Sequence, residues 1–278
     1  MVGASPQDFP DSHAAASRSG SGTTSSVGEK AGAQSGKVVV VTGGSGGIGA
    51  EICRQFAHAG ASVAFTYRNG REAAARLHAG LPGSGHWARQ LAIDDSASLK
   101  ALAAEVESHY GRCDVLVNCA GMTRFVPHAD LDALDDQLID DIFRVNWRGA
   151  FAAVRAFRPL LERGGEGLVV NISSIAGVTG MGSNVAYCAS KAALDCMTKS
   201  LARALAPAIR VVSVSPGLVD TDFVKALDQT WRDEQAARTP LRRLATPDEV
   251  GAAVLAVASV LKYSNGCIIA VDGGRPLT

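Results

Sequence analysis

Short apolar runs alternate with longer amphipathic stretches from Lys37 to the end of the chain. The runs are rich in valine and isoleucine and have few polar positions, which is typical of strands buried on both faces of a parallel sheet. Strands are predicted at residues 38–41, 62–66, 87–93, 114–118, 168–172, 210–214 and 268–271.

The stretches between these runs have a helical period. In the first, Ile48, Ile52 and Phe56 lie on one face of a helix. Further helices are predicted at residues 71–78, 96–109, 132–161, 185–206 and 248–259. Regular alternation of strand and helix predicts an α/β fold, in which helices cover both faces of a doubly wound parallel sheet. Segment 218–246 fits neither pattern, and a connection of that length usually serves function.

The first 36 residues differ from the rest, because they are small, mostly polar and almost without large apolar side chains. Such a segment cannot bury enough surface to offset the entropy of ordering. We therefore predict a disordered N-terminal extension at residues 1–36, followed by a single domain at residues 37–278.

Composition excludes several classes of protein. The formal net charge is zero, so no bulk field attracts nucleic acid or an anionic membrane. No apolar run reaches the roughly 18 residues of a membrane span, and no secretory signal is present, so we expect a cytoplasmic protein. The 6 cysteines form no CxxC pair and the 6 histidines have no ligand spacing, so no metal site is expected.

A glycine loop at residues 42–49 joins the first strand to the first helix. Gly43 permits a tight turn, Gly47 lets the backbone approach a pyrophosphate, and Gly49 lets helix and strand pack closely. The N-terminus of the following helix presents free N–H groups to the phosphates. A flexible connector would have the same composition, but the strand before the loop and the helix after it favour dinucleotide binding.

Tyr187 and Lys191 are four residues apart within a predicted helix, so their side chains project from one face. A phenol left alone titrates near pH ~10, and a neighbouring cation favours the phenolate. Such a tyrosine can exchange a proton with an alcohol near neutral pH. An unrelated Tyr and Lys on a surface helix could have the same spacing, so the interpretation of this pair depends on the other motifs.

The order of the motifs resembles the short-chain dehydrogenase/reductase family, over residues 37 to 274. The matching motifs are residues 42–49, residues 118–121, Asn146, Ser174, Tyr187 with Lys191, and Pro216 with Gly217. The resemblance implies a Rossmann-type fold and an NAD(P)-dependent oxidoreductase that acts on alcohols or ketones.

The resemblance also implies the catalytic roles. Ser174 would hydrogen-bond the substrate carbonyl or hydroxyl, and Tyr187 would be the general acid for reduction and the base for oxidation. Lys191 would hold the nicotinamide ribose and lower the pKa of the phenol. Asn146 would kink its helix and hold a water linked to Lys191. As alternatives, Ser174 could be a turn cap and Asn146 could bond its own backbone.

Cofactor contacts are implied along the carboxyl edge of the sheet, where doubly wound folds bind ligands. The predicted cofactor-binding residues are Gly43, Ser45, Gly47, Ile48, Gly49, Tyr67, Arg68, Asn118, Ala120, Gly121, Tyr187, Lys191, Pro216, Gly217 and Thr221. Thr221 would contact the carboxamide or a phosphate, and Asn118 would steady the central sheet.

The end of the second strand favours NADP(H) over NAD(H). NAD-specific relatives have an acid there for the ribose 2′-hydroxyl, whereas this chain has Tyr67 followed by Arg68. A guanidinium suits a 2′-phosphate by charge and geometry. The chain departs from many NADP-dependent relatives at Gly46, where they have a basic residue, and Ala92 replaces a common adenine-binding Asp, two residues before Asp94.

The sequence does not decide between several classes of substrate. Residues 239–249 and 268–274 look like those of 3-oxoacyl-thioester reductases, which act on acyl-carrier-protein substrates. The basic residues expected before the fifth strand and after the tyrosine helix are replaced by residues 164–167 and by Pro207. A sugar, polyol or other small alcohol is therefore an alternative. Pocket candidates are Phe125, Met181, Asn184, Phe223 and Trp231.

We predict reduction of a ketone to a secondary alcohol by hydride transfer, with Tyr187 as the proton donor. A catalytically silent dinucleotide sensor is the alternative from another class, although a sensor needs no proton donor. The resemblance implies a homotetramer or homodimer, and we expect no nucleic-acid or membrane partner.

Overall fold

Seven parallel strands form one sheet in the computed structural model, which describes residues 32–277 except for the side chain of Phe223. The strands are β1 (Val38–Thr42), β2 (Ser62–Tyr67), β3 (Trp87–Gln90), β4 (Val115–Asn118), β5 (Gly167–Ile172), β6 (Ile209–Pro216) and β7 (Ile268–Val271). Their order is β3-β2-β1-β4-β5-β6-β7, so the direction of winding reverses between β1 and β4. Ligands bind at such a switch point, outside the carboxyl ends of the strands.

Helices flank the sheet. They are α1 (Gly47–His58), α2 (Arg71–Gly80), α3 (Ser96–Tyr110), α4 (Asp136–Phe143), a π-helical segment (Arg144–Gly149), α5 (Ala150–Arg163), α6 (Ala176–Thr179), α7 (Val185–Ala204), α8 (Asp222–Lys225), α9 (Gln229–Ala237) and α10 (Pro247–Ser259). A 3₁₀ turn at Arg275–Leu277 follows β7.

An apolar layer lies between each face of the sheet and the helices that cover it. Val39 and Val41 of β1 pack with α1 and α10 on one face, whereas Val40 packs with α3 and α5 on the other. Phe56 of the first layer and Phe157 of the second are fully buried. Each large side chain buried in this way contributes roughly 1.5–3 kcal/mol, so the two layers fix the strand ends that carry the site.

Most predicted elements are present, and the main differences concern where they begin and end. The helix predicted at residues 132–161 begins at Asp136, because Asp135 caps it by accepting a hydrogen bond from Leu138 N at 2.8 Å. The third strand ends at Gln90 rather than at residue 93. Segment 218–246, predicted to be irregular, contains the short helices α8 and α9.

The packed part of the chain begins before Lys37, where we predicted the domain to start. Residues 33–36 form a turn in which Gln34 is 4% exposed and donates its backbone N–H to Ala59 O at 2.9 Å. The turn therefore packs against the end of α1. The rest of the predicted extension, residues 1–31, lies outside the described residues. Within residues 32–277, no helix is long and apolar enough to cross a bilayer.

Candidate active site

The carboxyl ends of β1 and β4 are tied together by Thr42, which the sequence analysis did not single out. Its hydroxyl accepts hydrogen bonds from Cys119 N at 3.1 Å and Ala120 N at 3.2 Å, and donates to Val117 O. The segment after β4 is therefore held against the glycine loop, at the switch point of the sheet.

The glycine loop is compact, and most of its glycines lie where a side chain would not fit. A Cβ at Gly43, where φ is +68°, would lie 2.8 Å from Ala120 Cα. A Cβ at Gly49 would lie 2.3 Å from Gly43 O, and one at Gly47 would lie 2.9 Å from the methyl of Thr221. The loop therefore joins the segment after β4 on one side and Thr221 on the other.

The start of α1 is open to an anion. Gly46 is its N-cap and supplies no side-chain hydrogen bond to the first turn. The backbone N–H groups of that turn, which includes Ile48, and the positive end of the helix dipole can therefore meet a phosphate. The Ile48 side chain instead packs against the apolar layer below. Ser45 lies in the loop just before, in a cavity that Thr221 also lines.

A buried polar network crosses the middle of the sheet below this loop. Asn118 Nδ2 donates to Asn171 Oδ1 at 2.8 Å, and Asn171 Nδ2 donates to Thr198 Oγ1 at the same distance. The hydroxyls of Thr198 and Ser213 are 2.8 Å apart. The network links β4, β5, α7 and β6, so it fixes the helix that carries Tyr187 against the carboxyl edge of the sheet.

Asn146 lies in the π-helical segment between α4 and α5, where the helix is widened. Its Oδ1 accepts from Met122 N at 2.8 Å, and its Nδ2 donates to Met122 O and to Ser190 Oγ. A Cβ at Gly121 would lie 3.4 Å from Asn146 Oδ1 and 3.9 Å from Lys191 Nζ. Gly121 thus lies where Asn146 and Lys191 approach each other.

Tyr187 and Lys191 lie on one face of α7, as their spacing requires. Lys191 Nζ is 5.7 Å from the centre of the Tyr187 ring and donates to Ile172 O at 2.8 Å. Lys191 is buried, with 6% of its surface exposed, whereas Tyr187 is partly exposed. The ammonium is therefore fixed below the phenol, and the phenol can reach a substrate.

Ser174 follows β5 at the same edge of the sheet. Its Oγ accepts from Ala176 N at 3.2 Å, which makes it a turn cap, and its side chain is partly exposed. The short helix after it packs on α7, since a Cβ at Gly177 would lie 2.8 Å from Ala192 N. The neighbouring Ser173 is buried and donates to Lys191 O at 3.4 Å. Ser174 is thus the more accessible of the two hydroxyls.

Asn184, a pocket candidate by sequence, has a different position. It is fully buried, and as the N-cap of α7 it accepts a hydrogen bond from Tyr187 N at 2.7 Å. Its amide donates to Thr123 Oγ1 and Arg124 O, which joins α7 to the segment after β4. Among the other pocket candidates, Phe125, Met181 and Trp231 are exposed. The side chain of Phe223 is not among those that the structure describes.

The ends of β6 and β7 close the opposite side of the edge. Pro216 O accepts from Ile175 N at 3.1 Å, and Gly217 N donates to Val271 O at 3.0 Å. A Cβ at Gly217 would lie 3.1 Å from Asp272 Cα, so only glycine fits there without a shift. Thr221 caps α8 and contacts Gly47, which brings it to the glycine loop.

Tyr67 and Arg68 lie at the end of β2. Tyr67 is partly buried, whereas Arg68 is exposed and its backbone O accepts from Gln90 Nε2 at 3.0 Å. Within residues 32–277, no side chain forms a hydrogen bond or ion pair with the Arg68 guanidinium. Asp94, two residues after Ala92, forms an ion pair with Arg144 Nε at 3.3 Å.

Cys119 follows Asn118 at the carboxyl edge of the sheet, and the residue is partly buried. Burial raises the pKa of this thiol to about 11, although the nearby Lys191 ammonium lowers it in part. The thiol is therefore neutral at physiological pH, and covalent catalysis would need the thiolate. The Ser174 hydroxyl and the Tyr187 phenol are partly exposed, and such groups can exchange a proton with a bound molecule.

The residues present fit a dinucleotide. The glycines form a cradle that a Cβ would fill, the uncapped start of α1 suits a pyrophosphate, and Arg68 offers an exposed cation beyond it. Tyr187 and Lys191 lie at the other end of the same edge, next to Gly121. The arrangement can hold a nucleotide along the edge and supply a proton beside its far end.

A family model described as enoyl-(acyl carrier protein) reductase matches residues 43–275. The chain is 35% identical over 243 residues to 3-oxoacyl-(acyl-carrier-protein) reductase FabG of Thermotoga maritima, covering 86% of this chain and 97% of that protein. It is 38% identical over 245 residues to D-threitol dehydrogenase of Mycolicibacterium smegmatis, covering 86% and 92% respectively.

Solved structures share the fold. A short-chain dehydrogenase/reductase of Serratia marcescens superimposes with a TM-score of 0.81 at 31% identity, covering 87% of this chain and 99% of that one. A short-chain dehydrogenase/reductase of Brucella melitensis, described as a glucose/ribitol dehydrogenase, has the same TM-score of 0.81 at 28% identity, covering 88% and 99%.

Proposed function

Because this chain belongs to the short-chain dehydrogenase/reductase family, we propose that it is an NADP(H)-dependent reductase that converts a ketone to a secondary alcohol, with Tyr187 as proton donor. The chain is an oxidoreductase by family, and the cofactor preference, the acid and the substrate class are the proposal. One observation carries it: the Lys191 ammonium, bonded to Ile172 O at the carboxyl end of β5, lies 5.7 Å from the centre of the Tyr187 ring.

A bound nicotinamide would supply the hydride. The chain's own residues would orient the carbonyl and move the proton. Ser174 would donate to the carbonyl oxygen, because its hydroxyl is partly exposed and only accepts from Ala176 N in the turn. Tyr187 would then give its proton to the same oxygen as negative charge develops there.

Lys191 would support the proton transfer from below. The ammonium donates a hydrogen bond to Ile172 O, which holds it beside the phenol. It therefore does not have to be reordered when substrate binds. A fixed positive charge next to the ring stabilises the phenolate that remains after the transfer. Asn146 would restrain the segment at Met122, next to Gly121, and so keep the space above Lys191 open.

The cofactor contacts would run from Arg68 to Thr221. Arg68 would bind the 2′-phosphate, Ser45 would add a hydrogen bond, and α1 would bind the pyrophosphate. The adenosine ribose would lie by Ala120 and Gly121, and the nicotinamide by Pro216, Gly217 and Thr221. NADP(H) is favoured because Tyr67 stands where an acid would hold the 2′-hydroxyl of NAD.

Two substrate classes are supported. The likeness to a 3-oxoacyl-(acyl-carrier-protein) reductase favours a 3-oxoacyl thioester. The likeness to D-threitol dehydrogenase, and Glu166 in the loop before β5 where carrier recognition would need basic residues, favour a small polyol. Initial rates with a 3-oxobutanoyl thioester of N-acetylcysteamine and NADPH, and with D-threitol and NADP⁺, separate the two.

We also propose that the chain forms a homodimer or homotetramer through α5 and α7. Trp147 and Phe151 are stacked with ring centres 6.0 Å apart, and Arg155 lies over Phe151. Both rings are only partly buried in the single chain, so a second copy could cover them. Light scattering of the purified protein tests this, and a monomer would contradict it.

The Tyr187→Phe substitution tests the proposed acid. We expect ketone reduction to fall by roughly 10²–10⁴-fold, the usual contribution of a general acid, while NADPH still binds. Tyr263→Phe is the matched control, because Tyr263 is fully exposed and far from the described site. Near wild-type turnover in Tyr187→Phe would overturn the assignment. Tight NADPH binding without turnover of any ketone or alcohol would favour a dinucleotide sensor.

A further inference from the structure

A cavity of about 280 Å³ lies beside the proposed reaction site, and the proposed mechanism does not use it. It is bounded by Met181, by the end of α9 and by the 3₁₀ turn after β7. Met181 is followed by Gly182, where a Cβ would lie 3.1 Å from Tyr187 Cδ1. One wall of the cavity therefore belongs to the segment that packs against the ring of the proposed acid.

Another wall of the cavity is fixed to the end of β7. Leu241 N donates to Gly273 O at 3.2 Å, and a Cβ at Gly273 would lie 2.8 Å from the methyl of Thr239. Asp272, which precedes Gly273, packs against Gly217, one of the proposed cofactor contacts. The cavity thus lies at the carboxyl edge of the sheet, beyond the proposed place of the nicotinamide.

The cavity is lined by three arginines from three different segments: Arg238 at the end of α9, Arg242 in the turn that follows, and Arg275 after β7. Burial lowers the pKa of the Arg275 guanidinium, and the neighbouring Arg238 lowers it further, so like charges meet here. Among residues 32–277, the other lining residues are neutral, and they are Met181, Ala237, Thr239 and Pro240. The described wall of the cavity is therefore positively charged.

The end of α9 accounts for only part of this charge. Arg275 donates to Gln235 O at 3.1 Å and to Gln235 Oε1 at 2.9 Å, and Arg242 donates to Ala237 O at 2.6 Å. These carbonyls belong to the last turn of α9, where cations stabilise a helix. A helix C-terminus carries roughly half an elementary negative charge, so it does not balance three guanidinium groups.

Arg242 is held in an unfavourable backbone conformation. Its φ is +56°, and it is the only non-glycine residue of residues 32–277 in the left-handed region. A glycine would adopt this conformation without steric cost, and such strain is concentrated at functional sites. Within residues 32–277, Arg242 forms no ion pair, and its bond to Ala237 O uses one of several N–H donors. The remaining donors can bind a ligand in the cavity.

We propose that this cavity binds an anionic group of the substrate, a carboxylate or a phosphate, at the end of the molecule remote from the reacting carbonyl. The inference rests on the proposed reduction at Tyr187, and it narrows the substrate to an oxo acid or a phosphorylated ketone. Guanidinium groups bind both anions through paired N–H donors. The carbon chain between the two ends would lie against the apolar surfaces of Met181, Ala237 and Pro240.

A charged ketone and its neutral counterpart test the proposal. Initial rates are measured with NADPH and either 5-oxohexanoate or its methyl ester. We expect kcat/KM of the wild type to be about 10-fold higher for the acid, the effect of a hydrogen bond to a charged group. Arg242→Gly removes the guanidinium and suits the left-handed backbone, so it should lower this ratio to near one.

Arg243→Gln is the matched control. Arg243 is the next residue in the chain, but it does not line the cavity, and it pairs with Glu249 at 2.6 Å. The ratio of kcat/KM for the acid to that for the ester should be unchanged in this variant. A ratio that falls equally in Arg242→Gly and Arg243→Gln would show a general effect of surface charge and would overturn the proposal.

A second measurement needs no turnover. Calorimetric titrations of the cofactor-free protein with 5-oxohexanoate and with dihydroxyacetone phosphate give the affinity for each anion. Both should bind the wild type and Arg243→Gln about 10-fold more tightly than Arg242→Gly. The anion that binds more tightly distinguishes an oxo acid from a phosphorylated ketone. Arg238→Gln gives the same readout if the Gly variant does not fold, and thermal unfolding shows that each variant is intact.

Equal kcat/KM of the wild type for acid and ester, or equal anion affinity in folded Arg242→Gly and Arg243→Gln, would overturn the inference. Failure of the proposed function has a different signature. No variant and no wild-type protein would then reduce a ketone, whereas the difference in anion affinity between Arg242→Gly and Arg243→Gln would remain.

Discussion

Asn184 Oδ1 accepts a hydrogen bond from the backbone N–H of Tyr187 at 2.7 Å, and this contact fixes where α7 begins. The proposed acid therefore lies in the first turn of a helix whose cap is fully buried. The Asn184 amide also reaches Arg124 O at 2.7 Å, so the helix start is tied to the segment after β4. The position of the phenol depends on this one side chain.

Replacing Asn184 by Ala is expected to reduce both stability and catalysis. Loss of an N-cap costs about 1 kcal/mol, and a buried amide with partners on both sides brings the loss nearer 2 kcal/mol, which lowers the unfolding temperature by several degrees. We expect kcat to fall in addition, because the Tyr187 backbone is no longer fixed. Asp95→Ala is the control, since Asp95 caps α3 through Ala97 N at 2.9 Å. It should lower stability with kcat unchanged, and a normal kcat in Asn184→Ala would contradict this account.

Two glycines of one loop should respond differently to the same added methyl group. Gly49→Ala places a Cβ 2.3 Å from Gly43 O, so the loop must shift and nucleotide binding should weaken by 10-fold or more. Gly46→Ala meets no atom within 4 Å and should bind nearly as the wild type does. Fluorescence titration with NADPH measures both. Equal affinities for the two variants would show that the loop is not the nucleotide site.

Arg68→Ala should weaken NADPH binding about 10-fold, equivalent to about 1.4 kcal/mol, and leave NADH binding little changed. The reason is that only NADPH has the 2′-phosphate that this exposed guanidinium would meet. Arg89→Ala is the matched control, because Arg89 is on the next strand and pairs with Glu105 at 2.8 Å. Calorimetric titration with both nucleotides gives the ratio. An equal loss for NADH and NADPH would argue against a 2′-phosphate contact.

Asp114 anchors the start of the central strands and should make stability depend on pH. Burial would raise the pKa of its carboxyl, but bonds from Arg112, the Val38 N–H and Lys37 outweigh burial and lower it. A lowered pKa stabilises the fold above the unfolded value near pH ~3.9 and loses that effect as pH falls through the folded value. Asp114→Asn should therefore cost about 2 kcal/mol at pH 7 and progressively less below pH ~4.

Thermal unfolding from pH 3 to pH 8 checks this prediction for Asp114. Glu72→Gln is the control, since the Glu72 side chain is 93% exposed and its ion pair with Arg76 is 3.8 Å long. An Asp114→Asn deficit that stays constant over the whole range would show that the charge of the carboxyl is not what stabilises the fold.

Local patterns identified most residues of the candidate site, because the residues of each motif lie close together in sequence. The glycine loop needs a strand, a turn and a helix in succession, and the pair Tyr187 and Lys191 needs only one helical turn. Thr42, Asn171 and Thr198 could not be recognised in the same way. Each is a common polar residue whose role is a contact with a distant strand or helix, such as Thr42 with Ala120 or Asn171 with Thr198.

The sequence by itself determined the alternation of strands and helices, the parallel sheet, the glycine loop and the helix with its phenol and ammonium, since all of these follow from the short-range period of apolar and small residues. Tertiary structure alone decided that Asn184 caps α7 rather than lining a pocket and that Asp94 pairs with Arg144. These outcomes depend on which side chains meet in the folded chain. Hydrogen bonds and desolvation are set by residues that are distant in sequence, so a local pattern cannot predict them.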